Sequence, residues 1–149
     1  MNKLHLAVLI FLLVSCATPV RSGSDHHQKK WQGANIAHYR FELSMVCFCA
    51  FRNRMPLRIE VQNGEVVAMH SADGHRIAAS DPDYHYFFRY ATLDRLFSEL
   101  QSSLNGQADQ VTATYHPSYG FPTRINMDRI KGAADDELEL IVSGFERLP

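Results

Sequence analysis

Two cysteines stand one residue apart in the segment Ser44–Ala50, which reads SMVCFCA. On a regular strand, alternate Cα atoms lie roughly 6.6 Å apart, near the upper end of the roughly 4.4–6.8 Å range that a disulfide spans. Bridging Cys47 to Cys49 therefore requires a bend or a bulge. Because the ring would be very small, it would constrain the unfolded chain little and be easily reduced. We favour a local disulfide over two buried thiols, with metal binding and redox chemistry as further alternatives.

A zinc site at this pair would need two more ligands in tetrahedral arrangement. Histidines are available at His70, His75, His85 and His116, but none lies in a CxxC or HxxxH pattern. The sequence therefore predicts neither a metal centre nor a cofactor.

A second group of residues that could bind a metal ion is acidic and comprises Asp128, Asp135, Asp136 and Glu137. Calcium takes about six to eight oxygen ligands, but the alternating spacing of an EF-hand loop is missing here. A solvated turn ahead of a strand is favoured over a calcium site. The chain also lacks the GxSxG, HExxH and glycine-rich phosphate motifs. No catalytic residue is predicted, and a binding protein is favoured over an enzyme.

The elements that position these residues begin with a strand. Apolar side chains occupy every odd position from Tyr39 to Phe51, while Arg40, Glu42 and Ser44 face away. The segments 57–62 and 65–70 alternate in the same way around Asn63-Gly64, the pair typical of a type I′ hairpin turn.

A helix follows Thr92, which can cap its first turn, and it ends at Asn105-Gly106. Its apolar stripe comprises Leu93, Leu96, Phe97, Leu100 and Leu104. Three more strands are predicted at 110–116, 123–128 and 138–145, and a short helix at 31–38. The prediction is an α+β fold: an antiparallel sheet of about six strands with helices packed on one face. The order of elements suggests tandem αβββ units, without a residue-level repeat.

Aromatic residues cluster between the third strand and the main helix. They are more consistent with a lid on the core than with a binding surface. As a binding surface they would comprise Tyr84, Tyr86 and Phe88, together with Tyr119 and Phe121 of the turn before the fifth strand.

Residues 1–15 have the layout of a signal peptide, with Lys3 ahead of a short apolar run. The run is too short for a transmembrane helix, which needs about 20 apolar residues. The end of this segment, Leu13-Val14-Ser15-Cys16, resembles the lipobox of bacterial lipoproteins. That resemblance implies cleavage before Cys16 and attachment to its sulfur of a thioether-linked diacylglycerol, whose fatty acyl chains include palmitate. Ala17 after the cysteine suggests an outer-membrane lipoprotein that faces the periplasm. We expect residues 16–30 to form a flexible tether and residues 31–149 a single domain.

Lys and Arg total 15 against 16 acidic residues. Because this balance provides no basic field, nucleic acid is not an expected partner. The expected partners are the membrane, through the lipid anchor, and an envelope protein.

Several short motifs together resemble a family of bacterial secreted proteins known as domain of unknown function six-one-seven-four. They are Tyr39-Arg40-Phe41, Cys47-Phe48-Cys49, the hairpin at 56–67, Thr92–Phe97, Tyr119-Gly120-Phe121-Pro122, Asp128 and Asp135-Asp136-Glu137. The resemblance covers residues 31–147 and implies structural roles for these motifs, but it supplies no activity. The function we expect is that of an envelope-anchored accessory protein that binds a protein or ligand. The alternative is thiol-redox or metal handling at the CxC pair.

Overall fold

The alternating segment predicted as the first strand lies at the centre of the sheet. In the computed structural model, which describes residues 20–149, β1 spans His38–Val46. Its apolar side chains Tyr39, Phe41, Leu43 and Met45 are all buried. The strand ends before the two cysteines and does not continue to Phe51 as its alternation suggested. The signal peptide, Cys16 and Ala17 lie outside the described residues.

The predicted hairpin is confirmed. Strand β2 (Leu57–Gln62) pairs antiparallel with β3 (Glu65–His70). Asn63 and Gly64 between them have φ angles of 52° and 81°, the left-handed values that a type I′ turn needs at both positions.

The remaining strands complete one antiparallel sheet. They are β4 (Gln110–Tyr115), β5 (Pro122–Asp128) and β6 (Leu138–Arg147), and the order across the sheet is β3-β2-β1-β6-β5-β4. The predicted α+β class is thus confirmed. Each half of the chain contributes three consecutive strands, and the halves meet where β1 pairs with β6.

The main helix, α3 (Leu93–Ser102), packs its apolar stripe on one face of the sheet. The Thr92 hydroxyl accepts a 3.1 Å hydrogen bond from the Arg95 amide, so Thr92 caps the helix as predicted. A π-helical turn follows at Ser103–Gln107, where Gly106 adopts a φ of 104°. A short helix, α2 (Tyr84–Phe88), precedes α3.

The tether predicted for residues 16–30 is wrong from Val20 onward, because Val20–Gly33 form helix α1. The helix predicted at 31–38 is correct for residues 31–33, which end α1, and wrong beyond Gly33, since β1 begins at His38. Helix α1 lacks an apolar stripe, so its sequence resembles a linker. Tertiary contacts hold it instead: Trp31 is buried in the core and its Nε1 donates to Asp94 Oδ1 at 3.2 Å.

Candidate functional site

The face of the sheet opposite the helices is open and polar, and it carries a groove of about 570 Å³ along the seam between β1 and β2. We call it the seam groove. Alternation places the charged residues of β1 and β2 on this face, because their apolar neighbours point into the core. Phe41 and Ile59 are buried on the core side and so border the groove only with their backbone. The other lining residues are Arg40, Glu42, Arg58, Glu60, Ala68, His70, Gly74 and Gly144.

The oppositely charged side chains that lie directly opposite each other across the seam do not pair with each other. Arg40 lies opposite Glu60 in the strand register, and Glu42 lies opposite Arg58. Opposite charges in such positions commonly attract one another. Here, however, Arg40 turns to Glu146 on β6, with Nη2 at 2.6 Å from Oε2.

The two carboxylates of the seam also bond to residues other than their register partners, Glu42 to Ser143 on β6 and Glu60 diagonally across the seam to His38 on β1. Glu60 Oε1 lies 2.9 Å from His38 Nε2, and Glu42 Oε2 accepts a 3.4 Å hydrogen bond from the Ser143 hydroxyl. The hydrogen bond to Glu60 raises the pKa of His38, and a second one to the Pro149 carbonyl adds to this rise. The partner residues Glu146, His38 and Ser143 are not among the residues that line the groove.

Arg58 is the exception, since it forms no ion pair with any residue of the described part of the chain. It is exposed, and its neighbour across the β2–β3 pair is His70. A guanidinium in this position can bind a carboxylate or phosphate with two parallel hydrogen bonds. The groove thus has the features of a binding surface.

The two cysteines lie at the end of β1, where the chain bends. In the structure, Cys47 and Cys49 form a disulfide, with their Cα atoms 5.2 Å apart. The bend also gives a 2.9 Å hydrogen bond from the Cys49 amide to the Cys47 carbonyl. Phe48, between them, is 79% exposed, and Val46 beside it is 53% exposed. The small ring thus displays an aromatic side chain to solvent.

The comparisons with known proteins decide the family. The model of a family of unknown function (DUF6174) matches residues 24–147. The chain belongs to this family. A search of curated proteins found no match. The match begins inside α1, so the DUF6174 domain includes most of the helix that we had predicted to be a tether.

In this DUF6174 domain the acidic residues form the β5–β6 connection. The Asp136 carboxylate accepts a 2.6 Å hydrogen bond from the Ile130 amide, and Asp109 accepts one of 2.9 Å from the Lys131 amide. Asp135 has a φ of 70°. These contacts are those of a turn that is held by its own carboxylates.

Asp128, at the end of β5, has a raised pKa. Loss of hydration raises its pKa, and the negative charges of Asp136, Glu137 and Asp109 raise it further. One carboxylate oxygen of Asp128 and one of Asp136 are buried without a hydrogen-bond partner. Nevertheless, no three His, Cys, Asp or Glu side chains within residues 20–149 converge as a metal site would require.

The aromatic residues that we considered as a binding surface do not come together. Tyr84 lies beside the edge strand β3, whereas Tyr119 and Phe121 belong to the turn at the opposite edge. Phe121 is 1% exposed and part of the core. Phe88 is covered by the Arg95 guanidinium, 3.7 Å from its ring centroid. Tyr86 alone retains substantial exposure, so these residues mainly close the core.

The alternating pattern of β1 indicated that Arg40 and Glu42 face outward, but it gave no sign of the groove.

None of the helices between residues 20 and 149 combines the length and the apolar character that a bilayer crossing requires.

Proposed function

We propose that this DUF6174 protein is an envelope-anchored bacterial lipoprotein whose domain faces the periplasm and binds a protein or peptide-like ligand. The seam groove is the proposed binding surface. The observation that carries the proposal is that neither oppositely charged pair of the β1–β2 register, Arg40 with Glu60 or Glu42 with Arg58, forms an ion pair, and that a groove with charged walls lies there.

The anchoring part rests on the sequence Leu13-Val14-Ser15-Cys16. Acyl chains on Cys16 would each contribute roughly 0.8 kcal/mol per buried methylene, and two or more chains give stable attachment. Helix α1 begins at Val20, only a few residues beyond Cys16. The domain would therefore stay close to the membrane.

Anchoring makes a modest binding surface sufficient. A tethered domain meets membrane partners at a high effective concentration, which raises its occupancy without any new contact. The open volume of the groove and its charged walls suit an extended polar ligand better than a compact apolar one.

The test places a photo-crosslinking amino acid at Ala68 inside the groove, in cells that express the full chain. The matched control replaces Ala134, which is exposed on the β5–β6 connection. We expect a discrete adduct from position 68 alone, and its loss when Arg58→Glu is added. Intact mass of the mature protein should show acylated Cys16, and Cys16→Ser should release the protein from membranes. An unmodified mass would refute anchoring, and equal crosslinking at both positions would refute the groove.

Thiol-redox exchange at Cys47 and Cys49 is the second candidate, favoured by the disulfide that lies in an accessible bend of the chain. The cysteines would exchange with a dithiol protein, which would become oxidised as they became reduced. Alkylation of intact cells followed by mass measurement tests this. A mixed population of bridged and alkylated protein would support exchange, and a fully bridged population would argue for a structural bond.

A further inference from the structure

We infer that the seam groove takes an extended peptide segment that bears a side-chain carboxylate, with Arg58 as the residue that binds this carboxylate. The inference rests on the proposed binding function and specifies its ligand class. It follows from the charges at the groove, from its shape and from the contacts that its other polar residues already make.

The charged side chains of the groove differ in whether they already have a partner. Arg40 is neutralised by Glu146 through two hydrogen bonds of 2.8 and 2.6 Å to the same carboxylate oxygen. Glu60 is engaged by His38 at 2.9 Å. Arg58 has no ion-pair partner among residues 20–149. Arg58 is therefore the arginine of the groove without an ion pair. Glu42 lies opposite it in the register but bonds to Ser143, so a ligand carboxylate can complement the Arg58 guanidinium.

The position of Arg58 adds a second donor. Its register neighbour on β3 is His70, which also lines the groove. Neighbours across an antiparallel pair have Cβ atoms about 4.5–5.5 Å apart. One carboxylate can therefore reach both side chains, the guanidinium through two N–H groups and the imidazole through one.

Small residues lie among the longer side chains that line the groove. Gly74, Gly144 and Ala68 are the smallest residues along it. At Gly144, an added Cβ would lie only 3.3 Å from Cγ of Glu42, so the lack of a side chain there accommodates the Glu42 side chain. Small residues between longer charged ones create a trench, which accommodates an extended backbone better than a folded element.

The test uses the mature protein purified from cells, in detergent where it is acylated, and three probes. The probes are an N-acetylated hexapeptide of alternating Ala and Glu, its Ala and Gln counterpart, and inorganic phosphate. Binding is measured by calorimetry, and the site is located by NMR shifts of arginine Nε–H groups. Arg58→Gln tests the anchor. Arg52→Gln is the matched control, since Arg52 is exposed, without an ion pair among the described residues, and outside the groove.

We expect the Glu peptide to bind at least tenfold more tightly than the Gln peptide, a difference of about 1.4 kcal/mol. Arg58→Gln should remove that preference, and Arg52→Gln should retain it. Equal binding of both peptides with groove shifts would overturn the carboxylate assignment while leaving a binding groove. Phosphate that shifts Arg58 and displaces the peptide at lower concentration would assign the site to phosphate groups instead. Shifts confined to residues outside the groove would overturn the inference and the proposed binding surface together.

Discussion

Gly120 lies against helix α1 in the turn between β4 and β5, and it gives the sharpest test of how α1 is held. Gly120 has a φ of 85°, and a Cβ added there would lie 2.6 Å from the His27 carbonyl oxygen and 3.0 Å from Lys30 Cβ. Neither the helix backbone nor the start of a side chain can move aside easily. Gly120→Ala should therefore push α1 away from the turn between β4 and β5.

The expected loss of stability is the sum of a backbone cost and a packing cost, and a control variant can separate the two. A left-handed φ costs an L-residue about 1–2 kcal/mol, and overpacking adds about 1–3 kcal/mol. Gly132 has a φ of 86° and no atom within 4 Å of the added Cβ. Gly132→Ala should thus lower the free energy of unfolding by the first cost alone. Gly120→Ala should lower it by both costs, about 2–5 kcal/mol in total.

The assay is urea denaturation of both variants, with the free energy of unfolding taken from the midpoint and slope. Hydrogen exchange of the α1 amides should also accelerate in Gly120→Ala and stay unchanged in Gly132→Ala. Equal losses in the two variants would refute the close contact. Protection of α1 that survives Gly120→Ala would show that this turn does not hold the helix.

Four further outcomes can be checked by the same unfolding measurements. Tyr39→Phe should cost about 1–2 kcal/mol, because the buried hydroxyl accepts a hydrogen bond from the first amide of α3; no loss would show that this amide finds another acceptor. Thr92→Ala should cost about 1 kcal/mol through loss of the helix cap; an unchanged midpoint would contradict the cap. The folded-state pKa of Asp128 is raised, so its ionised form destabilises the fold above that pKa and the penalty fades as pH falls. Asp128→Asn should raise the melting temperature at pH 7 and lose this advantage near pH 4, whereas a variant destabilised at both pH values would refute the repulsion. Replacing Cys47 and Cys49 together by Ala should cost only about 1.5 kcal/mol, because the ring is so small; a loss of several kcal/mol would assign the bond a larger structural role.

The sheet was predictable because its signals are local. Period-two alternation placed β1, and Asn63-Gly64 can adopt the two positive φ angles that the hairpin requires. Thr92 and the apolar stripe after it located α3 in the same way. Each of these signals lies within about ten residues, so it can be recognised without knowledge of the tertiary structure.

Helix α1 was not predictable because the contacts that stabilise it come from distant parts of the chain. Its polar sequence has little intrinsic reason to fold, and isolated helices of this length are marginal in water. The His27 ring stacks on Tyr115 with a centroid distance of 3.9 Å, and Ser24 is fully buried. Tyr115 lies on β4, and Asp94, which accepts the hydrogen bond from Trp31, lies on α3. Both are dozens of residues away from α1 in sequence.

The candidate site illustrates a different limit. Alternation put Arg40, Glu42, Arg58 and Glu60 on one face, and strand pairing alone would have joined them into two cross-strand ion pairs. On such a surface every one of the four charged side chains would already have an ion-pair partner, and none would be free to bind a ligand. The groove depends instead on β6, which supplies Glu146 and Ser143 to draw Arg40 and Glu42 away from the seam. Ser143 and Glu146 of β6 lie 101 and 106 residues from the β1 side chains that they bond. Because these contacts are so distant in sequence, local patterns could not show that Arg58 is left without an ion pair.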